Sequence, residues 1–301
     1  MRYKTFNFAE NRNKFFAISG IITLIGVLSL FTLGFNYGVD FKAGTSLDLN
    51  IGKSVTQAEA MDVFESAGYV PPNAVTVGGE NNERVSARFD QVLQLTDIEK
   101  IDAAFKGKYG DQVSKEENTV DPTIAQELAM KAIYGVLWAS LGIIIYVSIR
   151  FEWRFAIAAI IALLHDAFIV ISLFSIFRFE VNLPFVAAIL TIIGYSINDT
   201  IVIFDRIREN LRFAKIKNLQ DLSRIVNESI WQTLSRSINT VLTVLFAAVC
   251  LFIFGSPALQ LFSLAIIFGL VCGAYSSIFI ASQVWLLLKK KSLNAKKKVT
   301  A

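Results

Sequence analysis

A carboxylate lies inside a run of apolar residues that is long enough to cross a membrane. Asp199 follows the largely aliphatic and aromatic stretch 183–198, and the apolar run continues to Phe204. A charged carboxylate at the centre of a bilayer costs about 2.5–3.5 kcal/mol on insertion scales, so such residues usually face a partner or a water-filled path. Asp199 is therefore the first candidate for a residue that binds or carries an ion.

Two adjacent residues, His165 and Asp166, place a second ionisable pair at membrane depth. They lie near the middle of another apolar run, and His165 is the only histidine in the chain. Unperturbed imidazole changes its charge between about pH 5 and 8, and a buried carboxylate must be paired or carry a proton. Both residues are candidates for a proton relay, with a hydrogen bond to a neighbouring helix as the alternative role of His165.

The polar residues near Asp199 have simpler alternative roles. Ser196, Asn198 and Thr200 are expected to hydrogen-bond neighbouring helices, as such residues do in membranes, with support of a relay as the second possibility. Arg236 begins another apolar run. It is either an anchor whose side chain extends to the membrane surface or a countercharge that favours the ionised form of Asp199.

Membrane-spanning helices must position these residues. The chain has 301 residues, is 54% hydrophobic and has a mean hydropathy of +0.52, whereas soluble domains are about 45–50% apolar. Since a transmembrane helix needs about 20 apolar residues, six spans are predicted: 15–35, 129–149, 155–177, 184–204, 238–254 and 258–288. The first apolar stretch is longer than that of a cleavable signal peptide, which indicates a retained anchor.

Basic residues cluster at alternate ends of the spans. They are Arg2, Lys4, Arg12 and Lys14 before the first span, Arg150 and Arg154 between the second and third, Arg206, Arg208, Arg212, Lys215, Lys217, Arg224 and Arg236 around the fourth-to-fifth connection, and Lys289, Lys290, Lys291, Lys296, Lys297 and Lys298 in the tail. The positive-inside rule predicts that both termini are cytoplasmic. The protein is thus expected in the cytoplasmic (inner) membrane as a multi-pass protein, with residues 36–128 extracytoplasmic.

The predicted organisation has four parts. They are an N-terminus with the first helix (1–35), an external domain (36–128), five further helices (129–288) and a basic cytoplasmic tail (289–301). The external segment carries eight Lys/Arg and sixteen Asp/Glu, a net charge of −8. The tail is expected to set the topology and contact anionic lipid rather than bind nucleic acid.

The external segment predicts a small α+β domain. Alternation over 39–51 indicates a strand, and Thr56 with Glu59 forms a capping-box pattern for a helix that ends near Gly68. A hairpin of strands 74–77 and 84–89, a helix over 96–106 with Ile98, Ile101 and Phe105 on one stripe, and a strand over 112–120 follow. The resulting βαββαβ order is ferredoxin-like. The fold class is therefore an α-helical polytopic membrane protein with six transmembrane helices and this domain between helices 1 and 2.

Nothing in the external segment is typical of a catalytic centre, since it has neither His nor Cys. Both cysteines, Cys250 and Cys272, fall in predicted spans, so the sequence supports no disulfide, no metal site and no cofactor. A non-enzymatic transport role is the expectation.

Four segments resemble the SecF branch of the SecD/SecF family of protein-export membrane proteins. They are the fourth-span run 194–209, the fifth-span entry 227–240, the motif 38–45 after the first span, which contains Asp40, Phe41 and Gly44, and Leu164–Asp166 in the third span. One departure is visible: the family commonly has two glycines after Asp-Phe-x, and Ala43 replaces the first.

The resemblance implies a function. SecF pairs with SecD in a pseudo-symmetric twelve-span unit, akin to the resistance-nodulation-division transporters. This unit assists the Sec translocon by using the proton motive force, or sodium in some relatives, to pull unfolded polypeptide across the membrane. The family motifs put ion coupling on Asp199 and Arg236. SecD is expected as a separate chain, because no second six-span half is present.

Two other interpretations remain open. An exporter of lipids or small molecules from the resistance-nodulation-division superfamily would usually carry larger external domains and both halves in one chain. A scaffold for membrane assembly without ion coupling would not need buried carboxylates. The choice between proton and sodium stays open.

Overall fold

The computed structural model describes residues 6–70, 75–79, 81–214, 216 and 219–299. Several residues used above to predict the orientation and the hairpin lie outside these ranges: Arg2, Lys4, Ala74, Glu80, Lys215 and Lys217.

Six helical units within the described ranges are long and apolar enough to cross a membrane, as predicted. In chain-order numbering they are α1 (Arg12–Thr32), α5 (Pro122–Arg150), α6 (Trp153–Ile176), α7 (Leu183–Phe213), α8 (Leu219–Phe254) and a last unit of α9 (Pro257–Ser276), a π-helical turn (Ser277–Ala281) and α10 (Ser282–Val299). Each overlaps one predicted span. The protein is therefore a mostly helical, multi-pass membrane protein.

Helices α6, α7 and α9 form the interior of the bundle. About half of the most apolar stretch of each is buried, whereas α5 and α8 leave nearly all of theirs exposed. Gly269 of α9 lies so close to Ile192 of α7 that a Cβ atom there would be 2.2 Å from the Ile192 side chain. A glycine is required at this crossing, and it lets the two backbones approach closely.

A small domain lies between α1 and α5. Its elements are β2 (Gly44–Asn50), α3 (Gln57–Ser66), β3 (Thr76–Gly78), β4 (Arg84–Phe89), α4 (Leu95–Tyr109) and β5 (Ser114–Val120). The strands form an antiparallel sheet in the order β3-β4-β2-β5. Thr56 and Glu59 form the predicted capping box. The predicted stripe Ile98, Ile101 and Phe105 is buried in the domain core.

The strand predicted over 39–51 is wrong at its start. Residues Val39–Lys42 form one helical turn, α2, and β2 begins only at Gly44. The Asp40 carboxylate accepts hydrogen bonds from the Leu183 N–H at 2.7 Å and from Asn118 Nδ2 at 2.9 Å. These two tertiary contacts outweigh the local alternation of apolar and polar residues.

Ala43 and Gly44 reverse the chain between α2 and β2. Ala43 has φ 68° and ψ 162°, a region used almost only by glycine that costs other residues of order 1–3 kcal/mol. Gly44 has φ 128°, and a Cβ atom on it would lie 2.2 Å from the Phe89 carbonyl oxygen. Gly44 is therefore required by the fold, and Ala43, at the position of the first glycine in the motif that this segment resembles, stores strain.

We expect Ala43→Gly to raise the free energy of unfolding by about 1 kcal/mol, because relief of backbone strain exceeds the entropic cost of a glycine of about 0.5–1 kcal/mol. Thermal unfolding of the detergent-solubilised chain measures this. Ala58→Gly, at an exposed position in α3, is the control and should destabilise. Equal destabilisation by both variants would show that Ala43 is unstrained.

Asp48 sits in an unfavourable electrostatic position on β2. It lies directly opposite Ser86 of β4 and Glu116 of β5. Burial raises the pKa of the Asp48 carboxyl above its ordinary value; a hydrogen bond with Ser86 opposes this effect, and the Glu116 carboxylate adds to it. Ionised Asp48 therefore destabilises the sheet, since like charges opposite each other on neighbouring strands repel.

The pH dependence follows from the sign of this shift. A raised pKa in the folded state makes the ionised carboxyl costly at neutral pH, and the cost disappears as pH falls through that pKa. Asp48→Asn should stabilise the chain at pH 7, by about 0.2–1 kcal/mol from relieved repulsion alone, with the gain vanishing in acid. Unfolding across a pH series tests this. Asp62→Asn, on the exposed face of α3, should show no such gain.

Candidate functional site

Asp199 is buried in the membrane-spanning part of α7, where its side chain borders a cavity. The residue is 6% exposed. The cavity has a volume of about 280 Å³ and lies between α7, α8 and α9. Its lining combines polar groups and small residues: Tyr195, Ser196, Asn198, Asp199, Thr240, Val241, Thr243, Val244, Gly269, Leu270, Gly273 and Ala274. A small cavity with a carboxylate on its wall has room for water or a small cation.

Helix α8 supplies the polar partner that contacts Asp199. The Thr240 hydroxyl lies 3.4 Å from Asp199 Oδ1, at the long end of hydrogen-bond range, and 2.9 Å from the Ser237 carbonyl oxygen. This hydroxyl has one proton to donate, so it is shared between its own helix and Asp199. The contact across α7 and α8 is therefore weak and easily exchanged.

Arg236 lies four residues before Thr240 on the same helix. Among the described residues, no ion pair within 4.0 Å joins Arg236 to Asp199. The residue instead lines a second cavity, of about 200 Å³, together with Asp205, Arg206 and Glu209. The role of Arg236 as a countercharge stays a prediction.

Asp166 is the most deeply buried carboxylate in the described part of the bundle, with 1% exposure. Two hydroxyls donate to its Oδ2 atom: that of Ser196 on α7 at 2.5 Å and that of Ser276 on α9 at 2.6 Å. One carboxylate on α6 thus holds α7 and α9 together. Hydrogen bonds to an ionised acceptor are short and strong, and these two compensate much of the cost of burial.

His165 adds a titratable group to the Asp166 carboxylate. Its Nδ1 atom lies 3.2 Å from Asp166 Oδ1, and its ring stacks on Tyr275 with centroids 6.2 Å apart. The Nε2 atom is buried and has no hydrogen-bond partner within the part of the chain that the structure describes. An imidazole held in this way can pass a proton to or from a carboxylate.

Ser196 connects the two carboxylates. It donates to Asp166, and it also lines the cavity that Asp199 borders. Thr200, one helical turn further along α7, pairs with the Ser277 hydroxyl at 2.9 Å, while Asn198 is exposed and lines the cavity. Ser196 thus hydrogen-bonds a neighbouring helix and Thr200 the π-helical turn, while a relay role for either residue stays a prediction.

Ser276 and Ser277 are site residues that the sequence analysis missed. Both lie in an apolar run: Ser276 ends α9, and Ser277 is the first residue of the π-helical turn. The Ser282 hydroxyl donates across this turn to the Ser277 carbonyl oxygen at 2.9 Å. Such turns within helices are frequent at functional sites. Two adjacent serines at membrane depth were the available signal.

The residues of the motif after the first span lie away from this cavity. Asp40 contacts the first residue of α7 and β5, as described above. Phe41 packs against the bundle core and meets the Tyr37 ring edge to face. Gly44 occupies the tight reversal before β2.

These features define a class: a multi-pass α-helical membrane protein with buried carboxylates linked across three helices. The family model of the protein export membrane protein SecD/SecF, C-terminal region, matches residues 100–291. The model of the SecD/SecF GG motif matches residues 28–55. The chain belongs to the SecD/SecF family.

Individual relatives support this assignment. Protein translocase subunit SecF of Alicyclobacillus acidocaldarius is 48% identical over 93% of this chain and 91% of its own length. Protein translocase subunit SecDF of Bacillus subtilis is 46% identical over 97% of this chain and 39% of its own length. The crystal structure of SecDF from Thermus thermophilus superposes with a TM-score of 0.83 at 33% identity, covering 96% of this chain and 39% of that one. The chain therefore spans about two-fifths of the SecDF proteins it resembles.

Ser196→Ala tests the energetic importance of the Asp166 contacts. Asp166 would lose one of its two hydroxyl donors, and we expect a loss of about 1–3 kcal/mol in unfolding free energy. The matched control is Ser263→Ala, because this buried hydroxyl of α9 donates to carbonyls of its own helix. Thermal unfolding in detergent distinguishes the two, and equal effects would contradict a special role for Ser196.

Proposed function

We propose that this chain is the SecF-type subunit of a SecD–SecF complex that uses a transmembrane ion gradient to promote protein export. The observation that carries the proposal is the burial of Asp199 on the wall of a polar cavity within the bundle. A carboxylate in such a place gains or loses a charge only at the cost of rearranging its surroundings. Because of that cost, binding or release of an ion at Asp199 would be coupled to a movement of the surrounding helices.

The contacts of Asp199 suggest how the coupling works. Ionised Asp199 needs donors, and Thr240 and Ser237 on α8 are the hydroxyls that interact with it. When Asp199 binds a proton, or a sodium ion takes over the charge, the attraction to α8 weakens and α8 shifts relative to α7. In one of the two conformations Arg236 then approaches Asp199 as its countercharge, since charge pairs in a low-dielectric medium attract strongly.

Asp166 and His165, on α6, form the second part of the proposed relay. Ser196 is in contact with Asp166 and with the cavity beside Asp199, so its hydroxyl and water within that cavity would connect the two carboxylates for a proton. The unpartnered Nε2 atom of His165 provides an acceptor at the far end. Protonation of Asp166 would change the contacts that bind α6, α7 and α9 together, and protonation of Asp199 would change its contact with α8.

A partner in the membrane is supported by the faces of α7 and α8. These helices expose polar side chains at membrane depth: Tyr195, Asn198, Arg236, Asn239, Thr240 and Thr243. Lipid tails do not satisfy such groups, so intramembrane polar residues almost always face protein or water. SecDF relatives carry additional sequence in the same chain. We infer that a separate SecD chain covers this face here and that the complex works with the Sec translocon on an unfolded polypeptide.

The orientation is part of the proposal. Basic residues at alternate helix ends favour cytoplasmic termini, which makes the domain between α1 and α5 extracytoplasmic. The ferredoxin-like assignment of that domain is supported by its order of strands and helices and by the sheet order β3-β4-β2-β5.

Asp199→Asn is expected to leave the chain folded in the membrane and to reduce gradient-stimulated export by at least about tenfold. The asparagine keeps the shape of the side chain but cannot change charge. Export into inverted membrane vesicles is measured with a proton gradient, a sodium gradient or neither, which also identifies the ion.

The control is Asp205→Asn. Asp205 is an exposed carboxylate on the same helix and pairs with Arg208 at 2.5 Å, so its loss should leave stimulation unchanged. Normal stimulation of the Asp199→Asn variant would refute coupling through this residue. A wild-type chain that responds to neither gradient would refute the proposed function as a whole.

A further inference from the structure

The small domain contacts the first residue of the helix that carries Asp199. Asp40, which is 7% exposed, accepts the Leu183 N–H at 2.7 Å with Oδ2 and the Asn118 side-chain amide at 2.9 Å with Oδ1. Leu183 opens α7, and Asn118 lies on β5. A single carboxylate therefore joins the sheet to the N-terminus of α7.

A second contact ties the same sheet to the helix that carries Thr240. The Arg84 guanidinium, at the start of β4, donates through Nη1 to the carbonyl oxygen of Gly255, which directly follows α8. Arg84 also lines a cavity of about 180 Å³ together with Ser256 and Pro257 of the connection to α9. The sheet thus reaches the C-terminus of α8.

The charges at both contacts match the helix termini that they touch. The N-terminus of a helix carries partial positive charge, which a carboxylate stabilises, and the C-terminus carries partial negative charge, which a guanidinium stabilises. Asp40 and Arg84 therefore each make a charge-assisted contact with a different helix. The two helices are the ones that meet at the contact between Asp199 and Thr240.

We propose that Asp40 and Arg84 are positioning residues that clamp α7 and α8 to one sheet, so that movement of the small domain alters the Asp199–Thr240 contact. Only the expected effect on export rests on the proposed function. The clamp itself concerns the relative position of α7 and α8, which can be measured without an export assay.

Neighbouring contacts add to the attachment of the segment that precedes α7. Residues Asn36–Tyr37 (β1) pair in parallel with Glu180–Val181 (β6), which directly precede α7. Arg88 of β4 lies 3.4 Å from Glu180. The domain has its own apolar core, separate from that of the bundle, so it can shift as a rigid body while the clamps transmit the shift.

The experiment uses the full chain in nanodiscs, with spin labels on α7 and α8. Cysteines replace Ala187 and Ala247, both exposed, in a background with Cys250→Ala and Cys272→Ala. Pulsed electron paramagnetic resonance gives the distance distribution between the labels. We expect Asp40→Asn and Arg84→Gln each to broaden and shift this distribution. In export assays with the same variants, gradient stimulation should fall about five- to thirty-fold, the range of a clamp weakened by one charged contact.

Two further variants separate clamping from folding. Asp121→Asn is the matched control: Asp121 accepts the Thr123 N–H at 3.1 Å at the start of α5, a helix that carries none of the site residues, so the label distances should not change. The exchange Asp40→Asn with Asn118→Asp restores the pairing of an amide with a carboxylate inside the domain but leaves no charge beside Leu183. If Asp40 clamps α7, this exchange should not restore the wild-type distances between the labels.

The outcomes are decisive in both directions. Unchanged label distances in Asp40→Asn and Arg84→Gln, or full rescue by the exchange, overturn the clamp and reduce Asp40 to a packing role. Altered distances together with lost stimulation support it. If distances change but the wild-type chain shows no gradient stimulation, the clamp stands and the proposed function fails.

Discussion

The burial of Asp166 is the constraint on which the membrane part of the structure depends. A carboxylate with 1% exposure in an apolar bundle is tolerated only when donors surround it. Ser196 and Ser276 both reach Oδ2, which fixes α6, α7 and α9 in one register. The close crossing at Gly269 brings the serine-bearing backbones within range. The close packing of these helices and the hydrogen bonding of the buried Asp166 therefore depend on each other.

Helix α7 connects this tightly packed core to the cavity beside Asp199. Ser196 faces α9, and Thr200, four residues on, faces the π-helical turn that follows α9. Asp199 lies about 60° from Ser196 around the helix, given 3.6 residues per turn, and meets α8 through Thr240. One side of α7 is thus held firmly, whereas at the depth of Asp199 the adjacent side makes only a long hydrogen bond to α8. Nearer the end of α7, Asn210 donates to Ser229 and Gln232 of α8 at 2.8 and 3.0 Å. Helix α8 is also the less buried of the two. The arrangement favours motion of α8 against a rigid core.

The sequence predicted those parts of the site that depend on residue type alone. The cost of a carboxylate in an apolar run does not depend on how helices pack, so Asp199 and Asp166 stood out, and the capping box at Thr56 is a local signal. Ser276 did not stand out, because a serine in an apolar helix is cheap and common. The helical turn at Asp40 depends on contacts with Leu183 and Asn118 that are distant in sequence. The approach of Arg236 to Asp199 that we propose would depend on conformation, which no residue pattern reports.

The junction between the domain and the bundle shows why a few polar contacts matter so much there. The two apolar cores are separate, and Val39, Ala43, Val120 and Ala125 form a third, small apolar cluster. Small apolar clusters bury little surface and so contribute little stabilisation. The geometry of the junction is then set by directional groups: a two-residue parallel ladder, the carboxylate of Asp40 and the guanidinium of Arg84. Ala43, with φ 68°, directly precedes β2, so the strained reversal lies in the short segment between Asp40 and the sheet.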